Sequence, residues 1–269
     1  MAFTNTLVLF VKPWRQYSLA ELGKFVHDIG FEAIELPVRP GFPCQPETIE
    51  SDLPQAVRIL ADQGVTVFNV AADLPLDDER LYAACAKAGV DLNRVMFRRK
   101  NHRYREAEND ARRQLDSALP YCERYGIRIG VQNHAGAFVA PNALGLDHLL
   151  RGYDARYIGA IWDAAHEALE GIEPEAALDI VGERVFVVNL KNGYWRRTSG
   201  PESEHAQWTT YWTSGRQGRA DWPRVVAALA QMNYAGPICL TAEYSDVSAV
   251  DRLIVQDLEY LRSLSDTAT

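Results

Sequence analysis

Apolar runs of strand length alternate with helix-length segments along the whole chain, and this alternation is the feature that most limits its fold. Strands joined by helical crossovers of this length pair in parallel, with right-handed connections. The predicted strands are 7–11, 33–38, 65–71 and 94–98, followed by runs that end near residues 132, 163, 189 and 243. Eight such units in 269 residues predict a single (β/α)8 TIM barrel over residues 1–269, since such barrels take ~250 residues.

Helix signals lie between the predicted strands. Ser18 and Glu21 form the pattern of a capping box, and Asp221 precedes Trp222 as an N-cap would. Pro174 suits a first helical turn. The predicted helices are 18–28, 52–63, 78–88, 104–125, 143–151, 174–181, 221–233 and 247–264.

One connection, residues 192–218, is long for a compact domain, and loops of that length are usually functional or mobile. It contains the rings of Tyr194, Trp195, Trp208, Tyr211 and Trp212. Two interpretations are equally open: a local cluster that anchors the loop, or a lid whose rings stack on a sugar. Trp195 and Trp212 are therefore candidate substrate-binding residues.

Two further side chains near predicted strand ends are candidates for substrate binding. Trp14 follows the first strand, where it either stacks on a substrate or packs at the barrel rim. Glu35 lies at the end of the second strand, where it either bonds a sugar hydroxyl or forms a salt bridge with Arg39.

Charge and cysteine usage exclude several classes of function. The net charge of −8 disfavours nucleic acid as the main ligand, because phosphate backbones select for excess Lys and Arg. The four cysteines form no CxxC pair and are typical of reduced thiols in a cytoplasmic protein. The N-terminal apolar run is only strand length and lacks a basic flank, so neither a signal peptide nor a membrane span is expected.

Polar residues end the fifth, sixth, seventh and eighth predicted strands. Because the carboxyl ends of barrel strands converge on one mouth, these residues are expected to face a common point. Strand alternation adds further polar groups to the same faces. The expected set at the mouth is Gln132, His134, Asp163, Asn189, Lys191 and Glu243, with His166 in the loop beyond Asp163. A single polar strand end carries little meaning, but four in succession indicate a small-molecule site.

The order of these segments resembles the xylose isomerase-like barrels, the superfamily of sugar isomerases and epimerases that also includes inosose dehydratase and endonuclease IV. The segments that carry the resemblance are GFEAIEL (30–36), QNH (132–134), WDAAH (162–166), NLKN (189–192), AEY (242–244) and the region 218–240. They are similar to the family's second strand, its ExH, DxxH, HxKD and final Glu segments, and its last helix and strand. The resemblance covers nearly the whole chain.

The resemblance implies one divalent metal, which the family binds through a Glu, an Asp, a His and a Glu. These positions fall on Gln132, Asp163, Asn189 and Glu243. Gln replaces the first Glu, and Asn replaces the His. An all-oxygen set suits Mn²⁺ or Mg²⁺. Two carboxylates neutralise less charge than the family's ligands, so weak metal binding or no metal is also expected.

The same resemblance implies proton transfer next to a carbonyl of a ketose, polyol or keto-sugar, with Glu243 as the base. Lys191, His166 and His134 are the other candidate catalytic residues. The loss of the first Glu disfavours a symmetrical two-base epimerisation, so one-base isomerisation and a lyase reaction both stay open.

A third reading is a metal-free barrel that binds a sugar without turnover. A nuclease role is disfavoured, because a trinuclear zinc site needs more histidines than these strand ends have. A homo-oligomer is compatible with the sequence.

Overall fold

A closed barrel of parallel strands forms the centre of the molecule in the computed structural model, which describes residues 5–100 and 103–267. The barrel strands are β1 (Leu7–Phe10), β2 (Ala33–Val38), β3 (Thr66–Ala72), β4 (Leu92–Val95), β5 (Arg128–Gln132), β6 (Ile158–Asp163), β7 (Val185–Leu190) and β10 (Ile238–Leu240). Each pairs with its neighbours in chain order, and β10 pairs with β1 to close the barrel. This confirms the predicted (β/α)8 fold.

Helices surround the barrel between successive strands. They are α1 (Leu19–Asp28), α2 (Ile49–Ala61), α3 (Glu79–Ala88), α4 (Tyr104–Tyr125), α5 (Ala143–Leu150), α6 (Ala164–Glu170), α7 (Pro174–Val181), α8 (Trp222–Gln231) and α9 (Val250–Thr267). The Ser18–Glu21 capping box and the Asp221 N-cap are both present. No helix within the described ranges is long and apolar enough to cross a membrane.

Three elements, one helix and the two strands of a hairpin, were not predicted from the sequence. The helix α6 was not predicted, because seven residues are too few to display a helical period. The segment 192–218, predicted as a loop, contains the antiparallel hairpin of β8 (Asn192–Arg197) and β9 (Trp208–Thr213). Aromatic residues occur on both faces of this hairpin, so its sequence lacks the alternation that marks a strand with one buried face.

Apolar side chains fill the barrel and separate it from the helices. The lower interior is packed by Val8, Phe10, Ala33, Ala71, Leu92, Ile161, Val187 and Cys239. A larger apolar layer lies between the strands and the helices. The interior is thus a packed core, with buried polar side chains of β2 to β4 (Glu35, Asn69 and Arg94) and further polar groups at the carboxyl-terminal mouth.

Candidate active site

Three of the four predicted strand-end residues come from neighbouring strands. In the register of β6 and β7, Asp163 lies beside Asn189, and the Gln132 amide nitrogen donates a 2.8 Å hydrogen bond to the Asp163 carboxylate. Glu243 lies three residues beyond the end of β10. Its carboxylate accepts a 3.0 Å hydrogen bond from Lys191, which follows β7. The strand ends therefore bring the predicted residues to one mouth.

A continuous run of contacts joins the candidate catalytic groups. The Lys191 ammonium lies 3.8 Å from the centre of the Trp212 ring. Trp212 makes an edge contact with His166 at 5.1 Å between ring centres, and His166 lies 3.7 Å from His134. The Asp163 carboxylate accepts hydrogen bonds from the backbone N–H groups of residues 165 and 166, which fixes the start of α6.

Glu243 is ionised at neutral pH. Burial raises the pKa of this carboxylate, but Lys191 and Lys12 outweigh burial and hold the pKa of Glu243 well below its ordinary value. The Lys12 ammonium lies 2.6 Å from the second carboxylate oxygen. The Glu243 side chain is 27% exposed, so a ligand in the mouth can reach it.

The two histidines are neutral. Burial lowers the pKa of His134 to about 4, and burial followed by the charge of Lys191 lowers the pKa of His166 well below its usual value. His166 is fully buried, and neither of its ring nitrogens has a hydrogen-bond partner among the described residues. A neutral imidazole can both donate and accept a hydrogen bond. His166 therefore has both functions unused beneath His134 and Trp212.

A buried arginine, which sequence reasoning missed, lies inside the mouth. Arg94 on β4 donates to a Glu35 carboxylate oxygen at 2.6 Å through Nε and to the Gln132 amide oxygen through Nη1. Its guanidinium also lies 4.6 Å from the centre of the Phe10 ring. A charged residue within an apolar strand is the sequence signal that marks this position, because such residues are almost never buried unless they are paired.

Neither interpretation of Glu35 describes its place in the structure. The carboxylate is fully buried and accepts hydrogen bonds from Arg94 and from Asn69, the latter at 3.0 Å. The salt bridge to Arg39 is wrong, since Arg39 instead lies 3.6 Å from Asp73. Glu35 has no exposed oxygen for a sugar hydroxyl, because Arg94 and Asn69 occupy its carboxylate and the side chain is fully buried.

The three candidate tryptophans occupy different environments. Trp14 is 2% exposed, donates a 2.7 Å hydrogen bond to Asp251 and contacts Phe25, which matches packing at the rim rather than stacking on a ligand. Trp195 is 41% exposed, and its indole N–H donates to the backbone oxygen of residue 169 on α6. Only Trp212 of the three contacts the candidate catalytic groups.

A cavity of about 570 Å³ opens at the carboxylate of Glu243. Lys12, Arg39 and Trp212 also line it. Arg39 borders a second cavity of about 390 Å³, whose lining includes Arg94 and Phe138. Volumes of this size suit a ligand of a few hundred daltons.

The donor set does not fit a divalent metal. The Gln132 amide oxygen is bonded to Arg94, and both Asp163 oxygens accept hydrogen bonds from N–H groups. Glu243 is paired with two lysines. Only Asn189, buried and with both amide atoms unpartnered among the described residues, is uncommitted. No group of three or more His, Cys, Asp or Glu side chains in residues 5–100 and 103–267 is arranged to hold a metal ion.

The sequence profile of the xylose isomerase-like TIM barrels matches residues 23–264 of this chain. The chain belongs to this family. An inosose dehydratase of Bacillus velezensis is 24% identical over 196 residues, which are 71% of this chain and 62% of the relative. The chain thus spans less than two thirds of the length of this curated relative.

Solved structures share the fold over nearly the whole chain. D-psicose 3-epimerase from Clostridium cellulolyticum, solved with D-tagatose, has a TM-score of 0.74 at 13% identity and covers 97% of this chain and 99% of its own. The 3-keto-D-glucoside 4-epimerase of E. coli has a TM-score of 0.71 at 12% identity, with coverages of 96% and 99%. A family protein from Mycobacterium smegmatis in complex with magnesium has a TM-score of 0.66 at 14% identity, with coverages of 98% and 97%.

Proposed function

We propose that this chain is a sugar isomerase or epimerase-like enzyme that moves a proton next to the carbonyl of a ketose, polyol-derived ketone or keto-sugar. The observation that carries the proposal is the Glu243 carboxylate, which is ionised, reachable from a cavity and hydrogen-bonded to Lys191. An ionised carboxylate beside an ammonium is the pair that enolisation needs, since one group takes a proton and the other stabilises the oxygen.

The roles of the chain's residues follow from their contacts. Glu243 takes the proton from the carbon next to the carbonyl. Lys191 then donates to the oxygen on which negative charge develops, and its ammonium is held over Trp212. His166 has ring nitrogens without partners in the described structure, and it becomes available to a substrate hydroxyl when the covering rings of His134 and Trp212 move aside. Return of the proton from Glu243 to the former carbonyl carbon, with the hydroxyl proton passing from one oxygen of the enediolate to the other, completes an isomerisation.

A lyase reaction is the second candidate. Gln132 removes the carboxylate that a second base would need, and its amide is held between Arg94 and Asp163. With one base, Glu243 takes the proton beside the carbonyl and then gives it to the hydroxyl on the next carbon, which leaves as water and completes a dehydration. The relative that is an inosose dehydratase favours a keto-cyclitol or oxidised glycoside as substrate for this reaction.

The test is hydrogen exchange with deuterated solvent, followed by proton NMR on a panel of ketohexoses, 3-keto-glycosides and keto-cyclitols. Exchange with a new sugar as product supports the isomerase, and exchange with an unsaturated or dehydrated product supports the lyase. Glu243→Gln is expected to lower the exchange rate by ~10²–10⁴-fold, the usual cost of losing a general base.

Glu175→Gln is the matched control, because Glu175 pairs with Arg224 on the exposed surface. Saturable binding of a sugar without exchange in any member of the panel would contradict the enzyme proposal and leave the third reading, a sugar-binding barrel. A cytoplasmic location, a homo-oligomer and the absence of nucleic-acid binding stay predictions from the sequence.

A further inference from the structure

We propose that Arg94 takes the place of the divalent metal in this barrel: it supplies a fixed positive charge inside the mouth and commits Gln132 so that a metal site does not form. The contacts of Arg94, Gln132 and Asp163 then leave the site described above without a need for a metal cofactor.

The charge of Arg94 is permanent. A guanidinium does not lose its proton in proteins, so it cannot become neutral to admit a second cation. Arg94 is buried within the barrel, and Glu35 is its charge partner. Breaking this pair to free either residue would leave an uncompensated buried charge, which is strongly unfavourable.

Gln132 has one orientation that satisfies both of its neighbours. Its oxygen accepts from Arg94, and its nitrogen donates to Asp163. The reversed amide would place N–H donors against the guanidinium and an oxygen against the carboxylate. An amide side chain therefore satisfies both the Arg94 guanidinium and the Asp163 carboxyl group. A Glu at position 132 would have no N–H group to donate to Asp163.

Two carboxylates at the mouth already have cationic partners: Glu35 is paired with Arg94, and Glu243 is paired with Lys12 and Lys191. Burial raises the pKa of Asp163, and both of its oxygens already accept hydrogen bonds from N–H groups. The residue at the family's His position, Asn189, is neutral. A divalent ion would add two positive charges, and among the four family positions only Asp163 carries a carboxyl group without a salt-bridge partner in the described residues. Buried charges are costly without partners.

The experiment is a titration with Mn²⁺ alone, followed by electron paramagnetic resonance, on chelator-treated protein. Four proteins are compared: wild type; Gln132→Glu with Asn189→His; the same pair with Arg94→Met and Glu35→Gln; and Asp163→Asn. The Glu35→Gln change removes the charge that Arg94 would otherwise leave unpaired. Far-ultraviolet circular dichroism and the melting temperature establish that each variant is folded.

Wild type is expected to bind Mn²⁺ with a Kd of ~10⁻³ M or weaker, the range of the weakest calcium modules. The variant with Gln132→Glu and Asn189→His, which keeps Arg94, is expected to bind Mn²⁺ about as weakly as wild type. The variant that also lacks Arg94 is expected to bind at least ~10–100-fold more tightly, the scale on which neighbours of a metal's ligands alter affinity.

A wild-type site of micromolar affinity that Asp163→Asn abolishes would overturn the proposal. It would be overturned equally if the two-ligand variant binds Mn²⁺ as tightly as the variant without Arg94, because the missing ligands alone would then exclude the metal. Failure of both ligand-restoring variants to bind, with both folded, would also overturn the role given to Arg94. No substrate is needed, so the outcome is independent of the test of the proposed function.

Discussion

The side chain of Asn192 joins the base of the β8–β9 hairpin to the loop before α8. Its amide nitrogen donates to the backbone oxygens of Gly215 and Ala220 at 2.8 and 2.7 Å. Its oxygen accepts from the backbone N–H groups of Gly193 and Ala220 at 3.0 and 2.8 Å. Asn192 is fully buried, so four backbone groups depend on one side chain.

We expect Asn192→Asp to destabilise the fold although it changes a single group. Two donated hydrogen bonds are lost, at ~1 kcal/mol each, and a carboxylate oxygen then faces two carbonyl oxygens that have no donor. The combined cost is ~2–4 kcal/mol. A chain of 269 residues loses ~2 °C in melting temperature per kcal/mol, so Tm is expected to fall by ~4–8 °C.

Differential scanning calorimetry and urea unfolding measure this cost. Asn109→Asp is the matched control, since it makes the same chemical change on the exposed face of α4 and is expected to alter stability by less than ~0.5 kcal/mol. If Asn192→Asp is no more destabilising than Asn109→Asp, the hydrogen bonds of Asn192 do not hold the hairpin, and the reasoning is refuted.

Three other predictions address charge. Arg94→Met is expected to cost ~3–5 kcal/mol in urea unfolding, with Glu35→Gln recovering part of it; equal stability of the single and double variants would contradict the buried pair. Lys12→Gln removes a cation from Glu243, so the pKa of Glu243 rises and the acid limb of the pH profile of kcat/KM moves upward; an unmoved limb would exclude this coupling. Burial raises the pKa of Asp257 from 3.8 to about 6, so its contribution to stability is present below pH 3.8 and is lost as the pH rises through 6; Asp257→Asn is expected to flatten unfolding curves across this window, and an unchanged slope would count against it.

Much of the fold could be predicted from local pattern. The strand β2 and the helices α4 and α7 have the bounds that the sequence predicts, because apolar periodicity and terminal residues define them without tertiary contacts. Strand β4 was predicted two residues too late at its start and three too late at its end. Its central Arg94 does not fit an apolar alternation, since the residue is buried by pairing and not by its own hydrophobicity.

The candidate site could be predicted only in part. Strand alternation placed His134 with Gln132 and Lys191 with Asn189 because a period of two is a local property. The partner of Arg94 is 59 positions away in the chain, and that of Lys12 is 231 positions away. Such pairs exist only once the barrel closes, so no sequence window contains them.

The two lysines on Glu243 bear on how the proposed base works. A carboxylate whose pKa is held low is a weak base, and a proton-transfer group is most effective when its pKa is near the working pH. Lys191 is 5% exposed and pinned by Trp212, whereas Lys12 is 44% exposed. A substrate entering the cavity beside Glu243 can therefore displace Lys12 from the carboxylate and leave Lys191 in place. The departure of Lys12 raises the pKa of Glu243 only when the substrate is bound. Lys191 stays in place, where it can stabilise the negative charge that develops on the substrate oxygen.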